Sequence, residues 1–286
     1  MKRILIPLVI AFLSTAGWLA LASWKSLPVY EIASPVALAV PPMTNGEYAE
    51  VIGSHARPYV VEIQAAGGAV LIFGADHTKD PEDPQIERIR ELWDAFALTV
   101  ALSEMLLGIL FPGLMDSVKT FSEPGAVYRL ARRDRIPAWT WEPGTETRMA
   151  ALLRQPFTPE QIALRVVLGP YFSNRRFGRP DNPEGMVAET VRKRGNWPGI
   201  EGILESVEDV DAAWRRHFPE GPDWREVSDE YGLPGFLAGI DDNLARDEHF
   251  AQVVIDLVRK GERVFAVAGV SHAVKLEPTL HAVLAP

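Results

Sequence analysis

Two histidines follow a glycine at the same spacing, each after an apolar run. Val70–His77 reads VLIFGADH and Val264–His272 reads VFAVAGVSH, so Gly-x-x-His occurs at Gly74–His77 and again at Gly269–His272, 195 positions later. An apolar run ending in glycine reads as a buried strand with a sharp exit, because glycine accepts dihedrals that a side chain would forbid. The histidine then falls at or near the start of the next helix, where the positive end of the helix dipole favours neutral imidazole. Neutral imidazole is the form that binds a metal or accepts a proton. His77 and His272 therefore read as two halves of one site, brought together if the two strands are neighbours.

Three carboxylates and one arginine are candidates to join them. Glu104 ends the short apolar run Leu98–Leu102 and, partly buried there, needs a cation or a hydrogen-bond donor. It suits a metal ligand or a general base. Glu142 stands likewise at the end of Ile136–Trp141, and Glu123 opens a helix beside Ser122, where it can cap the helix or act in the site. Arg246 shares a helix face with Phe250, Val253 and Leu257, so it needs a carboxylate such as Glu104 or an oxyanion.

Other features carry less. His55, His217, His249 and His281 fall in loops or on polar helix faces, and the clusters Arg175-Arg176 with Arg179 and Arg192-Lys193-Arg194 read as solvated surface. Gly269–Ala273 approximates a nucleophile elbow, but the acid and histidine of that fold follow the serine, and only 14 residues remain after His272. Ser271 is therefore not expected to be a nucleophile. There is no Walker A loop, no His-Glu-x-x-His and no dinucleotide fingerprint.

The elements that must position these residues follow from periodicity. Pro58–Gln64 and Ala69–Phe73, joined by Gly67-Gly68, predict a hairpin. Ile86, Ile89, Trp93 and Phe96 have helical spacing, followed by the strand Leu98–Leu102; Glu123–Asp134 and Ile136–Trp141 repeat the order. A long helix, Phe236–Lys260, stopped by Gly261, feeds the last strand. The fold class is α/β, a mixed and largely parallel sheet flanked by helices. His77, Glu104, Glu142 and His272 leave four strands at their carboxyl ends, where open sheets bind ligands. Helices at Thr158–Phe172, Glu184–Arg194 and Ile200–Phe218 form a helical insertion over about residues 156–235, a lid or side wall.

At 286 residues, with 47% hydrophobic and 23% charged residues, the chain can bury one large core, expected over residues 46–286. Lys2 and Arg3 precede an uncharged run, Ile4–Ala22, and Ala20-Leu21-Ala22 offers a small-x-small cleavage site. This predicts export, with the segment cleaved after Ala22 or kept as a membrane anchor, and the rest in the periplasm or on the outer face of the cytoplasmic membrane. If the anchor stays, Trp24 and Lys25 sit at the interface. Residues 23–45, with Pro28, Pro35, Pro41 and Pro42, read as an extended linker that wraps onto the domain or tethers it. Without cysteine there is no disulfide framework, and a net charge of −9 argues against nucleic acid as a partner.

The pattern resembles the Tiki/TraB superfamily, including its GumN-like bacterial members, similar in fold to erythromycin esterases and ChaN-type haem-binding lipoproteins. The residues that carry the resemblance are Gly74–His77, Glu104, Glu123 within SEPGAVYRLARRDRIPAWTWEP, Arg246-Asp247, and Gly269–His272. It implies a mixed sheet flanked by helices with both histidines, a glutamate and an arginine in one pocket. Tiki proteins are metal-dependent proteases, and erythromycin esterases activate water in a similar pocket without an obvious metal. By that resemblance His77, His272 and Glu104 are metal ligands or bases, for manganese, cobalt or zinc, and Arg246 clamps an oxyanion or a carboxylate. The expectation is an exported hydrolase of an ester or peptide bond in a small molecule or peptide; the alternative is a haem- or metal-binding envelope protein without turnover. The stretch Met105-Leu106-Leu107-Gly108 beside Glu104 is unusually apolar for the edge of a polar site.

Overall fold

The structure, a computed structural model, describes residues 23–105, 108–111, 113–175, 178–229 and 232–285. The expected signal or anchor segment, Leu106, Leu107 and Arg176 lie outside the described residues. Among the described residues no helix is long and apolar enough to cross a membrane. The chain folds as two compact units, Met1–Glu142 with Asp247–Pro286, and Pro143–Arg246.

The first unit holds the sheet. After helix α1 (Asn45–Val51), strands β1 (Tyr59–Gln64) and β2 (Ala69–Ala75) form the expected hairpin, with Gln64 opposite Ala69. Gly68 is required in its turn, because a Cβ there would stand 2.4 Å from the carbonyl oxygen of Glu262. Helix α2 (Pro84–Phe96) starts where the Asp83 side chain accepts from the Gln85 amide, and it buries Ile86, Ile89, Trp93 and Phe96 as their spacing predicts. Strand β3 (Val100–Ser103), helix α3 (Ser117–Asp134) and strand β4 (Ala138–Thr140) follow.

Further along, a single helix over Phe236–Lys260 is not what forms. A four-residue turn of helix, Phe236–Gly239, is separated from Leu244–Arg259 by an extended Ile240, and the Asp241 carboxylate accepts from the amides of Asn243 and Leu244 to start the second piece. A local side-chain cap outcompetes helix continuity there. Strand β5 (Arg263–Gly269) and a helix over Val270–Leu284 close the chain.

The sheet order is β1-β2-β5-β3-β4, with β1 antiparallel to β2 and the other pairs parallel. The fold is thus α/β with a mixed, largely parallel sheet flanked by helices. β2 is buried throughout and β5 nearly so, which is why both read as unbroken apolar runs. The two strands that carry Gly-x-x-His are direct neighbours, with Val70 opposite Val264 and Ala75 opposite Gly269.

The proline-rich stretch wraps onto this unit. Trp24 and Leu110 exchange backbone hydrogen bonds of 2.8 and 3.1 Å, and Val29 pairs with Thr140 beyond the edge of β4. Tyr30 is buried; its hydroxyl donates to Asp256 Oδ2 at 2.7 Å, as Lys260 Nζ does at 2.8 Å. These partners hold the Asp256 carboxyl below its usual range, although burial works the other way.

The second unit is helical among its described residues and runs beyond 156–235 at both ends. Its helices are α4 (Thr145–Leu152), α5 (Pro159–Asn174), α6 (Pro183–Arg194), α7 (Val207–His217) and the short α8 (Phe236–Gly239); Leu244–Arg259, which spans the boundary between the units, is α9, and Val270–Leu284 of the first unit is α10. The helix expected from Ile200 begins only at Val207, where Ser206 and Asp209 form a capping box. Its core packs Leu164, Val167, Leu168 and Tyr171 against Val187, Trp214 and Trp224. Within it Arg148 grips Asp242 through both oxygens at 2.6–2.9 Å. Burial alone would raise the Asp242 carboxyl, but the charges of Arg148 and Arg165 outweigh it and hold it well below the usual carboxylate range.

Because that pKa is depressed, Asp242 contributes stability above the ordinary carboxylate range and loses it as pH falls further. Asp242→Asn is expected to cost about 3 kcal/mol at neutral pH. Denaturant melts of wild type and variant should converge as pH falls below about 4; equal stability at pH 7 would contradict the assignment.

Candidate active site

At the exit of β2 the chain is held by a side chain acting as a strand partner. The Asp76 amide donates to Gln85 Oε1 and Gln85 Nε2 donates back to the Asp76 carbonyl, both at 2.8 Å. This fixes the loop that carries His77, which lies well before α2. The helix-start expectation therefore fails for His77 and holds for His272, the third residue of α10.

A buried carboxylate holds His77 instead. His77 Nδ1 lies 3.1 Å from Glu123 Oε2, and Glu123 Oε1 accepts from the Thr78 amide. Glu123 reaches this place because α3 is broken at Phe121 and Ser122, the latter at φ 58° and ψ −148°, and restarts with Glu123 on its inner side. The break presses Gly125 so close to Ser117 that a Cβ would meet its carbonyl oxygen at 1.9 Å. Glu123 is fully buried and serves the histidine loop rather than capping the helix.

His272 is held the same way. Its Nδ1 is hydrogen-bonded to Asp247 Oδ1, and Asp247 Oδ2 lies 3.4 Å from Lys275 Nζ. Asp247, His272 and Lys275 are all buried. Since a carboxylate only accepts, each Nδ1 bears the proton, and in neutral imidazole each Nε2 then carries the lone pair.

The two rings meet over Gly269. A Cβ at Gly269 would stand 3.0 Å from His77 Nε2 and 3.7 Å from His272 Cδ2. Glu104, buried at the end of β3, accepts from the Gly269 amide at 2.7 Å through Oε2, while Oε1 lies 3.7 Å from His272 Nε2. The need for glycine is one of space. Gly269 has an ordinary extended backbone (φ −60°, ψ 148°) and leaves room for His77, and at Gly74 a Cβ would strike Ala273 Cβ at 2.7 Å where α10 crosses the strand. The dihedral reason expected from the motif does not apply to Gly269.

Trp141 walls the centre. Its ring stacks on Phe250 at 4.3 Å and sets an edge against His272 at 5.2 Å, while Nε1 donates to the Val267 carbonyl at 3.0 Å. His249, expected to be idle, donates through Nδ1 to the Trp141 carbonyl at 2.7 Å, and burial lowers its pKa. The His77 side chain is 31% exposed and His272 only 4%, so solutes approach from the His77 side.

Four of the expected residues thus come together: His77, His272, Glu104 and Glu123. The charge of Glu142 favours protonation of His249, whose ring bonds to the Trp141 carbonyl. Arg246 belongs to the second unit, with Nη1 donating to Asn243 Oδ1 at 2.9 Å. Asp247 and Lys275 were missed as participants. The signal for Asp247 was in the pattern: an acid heading the stripe Ala251, Val254 and Val258, all buried.

The donor chemistry of His77 Nε2, His272 Nε2 and Glu104 Oε1 suits a divalent ion, and the buried carboxylates behind both imidazoles are the usual outer support of metal-binding histidines. Among the described residues no three His, Cys, Asp or Glu side chains are already gathered around one metal position.

Removing the Asp247 carboxylate would leave the Lys275 ammonium buried without its counter-charge. Asp247→Ala is expected to cost about 3–5 kcal/mol in denaturant unfolding, and Asp247→Ala with Lys275→Met to recover most of it. Additive losses would show the pair to be uncoupled. No protein-family model, curated protein or solved structure gives a significant match to this chain.

Proposed function

We propose that the first unit is a hydrolase that activates water between His77, His272 and Glu104 to cleave an ester or amide bond in a small molecule or peptide. The observation that carries this reading is the convergence of two imidazoles over Gly269, each with Nδ1 fixed by a buried carboxylate. Such pinning selects one tautomer and one ring orientation, and directs a basic Nε2 into the shared space. His272 Nε2 and Glu104 Oε1, 3.7 Å apart, can both engage one water. The water gives a proton to an imidazole as it attacks, and the same imidazole returns it to the leaving group. Trp141 and Phe250 keep bulk water from the His272 side, which strengthens these interactions.

A divalent ion such as manganese, cobalt or zinc would be held by Nε2 of both histidines and by Glu104, and would lower the pKa of a bound water towards about 7. The resemblance to the Tiki/TraB superfamily, carried by Gly74–His77, Glu104, Glu123, Arg246-Asp247 and Gly269–His272, supports the same reaction class. In this reading Glu123 and Asp247 are positioning residues, and the protein is exported.

The test is hydrolysis of ester and peptide panels, with metal content and absorption spectra of the same samples, for wild type, His77→Ala, His272→Ala and Gly269→Ala. Each histidine variant should lose activity about 100-fold or more. Gly269→Ala should lose roughly tenfold, because its new methyl displaces the His77 ring. Activity unaffected by both histidine variants would end the proposal, and bound haem without hydrolysis would replace it with a carrier role.

A further inference from the structure

Beside the site, the first unit exposes an apolar loop to solvent. Directly after Glu104, Met105 is 45% exposed, Ile109 60%, Leu114 71% and Met115 36%. Large apolar side chains exposed together in one loop mark a contact surface.

Two further observations say what covers it. The loop is tied by the Trp24–Leu110 backbone pair to the start of the proline-rich strap, and the uncharged run Ile4–Ala22 ends two residues before Trp24. Nearby, between the strap and the C-terminal end of α3, is a cleft of about 500 Å³ lined by Lys25, Leu27, Tyr128 and Arg132 among others. Lys25 and Arg132 are exposed, and the Arg132 guanidinium lies 5.8 Å from the centre of the Trp24 ring. Apolar side chains, an amphipathic tryptophan and two cations beside an apolar run are the composition of a surface that enters the headgroup region of a bilayer.

We infer that Met105, Ile109, Leu114 and Met115, with Trp24, Lys25 and Arg132, form a membrane-contacting face that takes anionic phospholipid. The apolar side chains enter the acyl boundary, and the two cations meet headgroup phosphates at the cleft. The overall charge of −9 opposes such a surface, so attraction has to come from this local pair. The loop begins at Glu104, so this face adjoins the candidate site, but it does not depend on what reaction occurs there.

The chain contains no cysteine, so a single introduced one reports one place. Full-length Ile109→Cys and Leu114→Cys, labelled with an environment-sensitive fluorophore, would be reconstituted into phosphatidylglycerol or phosphatidylcholine vesicles carrying a quencher on the acyl chains. Ala66→Cys, in the exposed hairpin turn at the opposite end of β2, is the reference. Quenching at 109 and 114 but not at 66, stronger with phosphatidylglycerol, is expected. In those vesicles Lys25→Ala and Arg132→Ala should each lower the bound-to-free ratio of the label by about fivefold. Labels at 109 and 114 no more quenched than at 66 would overturn the membrane face. Shielding of label 109 that rises with protein concentration without lipid would do so too, in favour of a second copy. Equal quenching in both lipids, unchanged by the two substitutions, would overturn the anionic headgroup site.

Discussion

The in-register parallel pairing of β2 with β5 is the constraint on which the site depends. It sets Ala75 opposite Gly269, so two chain exits far apart in sequence leave the sheet side by side. A slip of one residue would turn every side chain of one strand to the other face. Both strands are lined by apolar side chains on both faces, so their position is held by packing on two sides. With β3 on the other flank of β5, Glu104 arrives at the same edge and closes its carboxylate on the Gly269 amide.

The polar contacts at that edge serve position more than stability. Burying a carboxylate costs several kcal/mol, whereas a hydrogen bond to a charged group returns about 1.5–3 kcal/mol. Glu123 accepts two such bonds, and Asp247 faces a histidine and a lysine, so each roughly offsets its own burial without a clear surplus. What the arrangement secures is orientation: each ring has one tautomer and one direction. Glycine at 269 and 74 completes it by omission, since a methyl at either place would enter space occupied by His77 or by Ala273 of α10.

The break in α3 has the same logic. A continuous helix would not carry Glu123 to the histidine loop in this way, and a left-handed Ser122 costs of order 1–3 kcal/mol. The two turns of the chain that defeat helix continuity, at Ser122 and at Asp241, precede the two helical segments that supply Glu123 and Asp247. Periodicity extends a helix across Asp241 but not across Ser122, where the helical pattern begins only at Glu123.

The amino-acid sequence by itself determined the elements whose signal is local: the hairpin, the buried strands, α2 with its four apolar contacts, and the histidine that follows each strand exit. It also marked Glu104, because a carboxylate that ends an apolar run has nowhere polar to go except a site. It led astray at Phe236–Lys260, where an Asp side chain caps a new start. The sheet order, the partner of each imidazole and the spatial need for glycine were decided only by the tertiary structure. Those contacts join residues 46 and 25 positions apart, His77 to Glu123 and Asp247 to His272. They arise from how helices dock on the sheet, and no spacing along the chain encodes that docking.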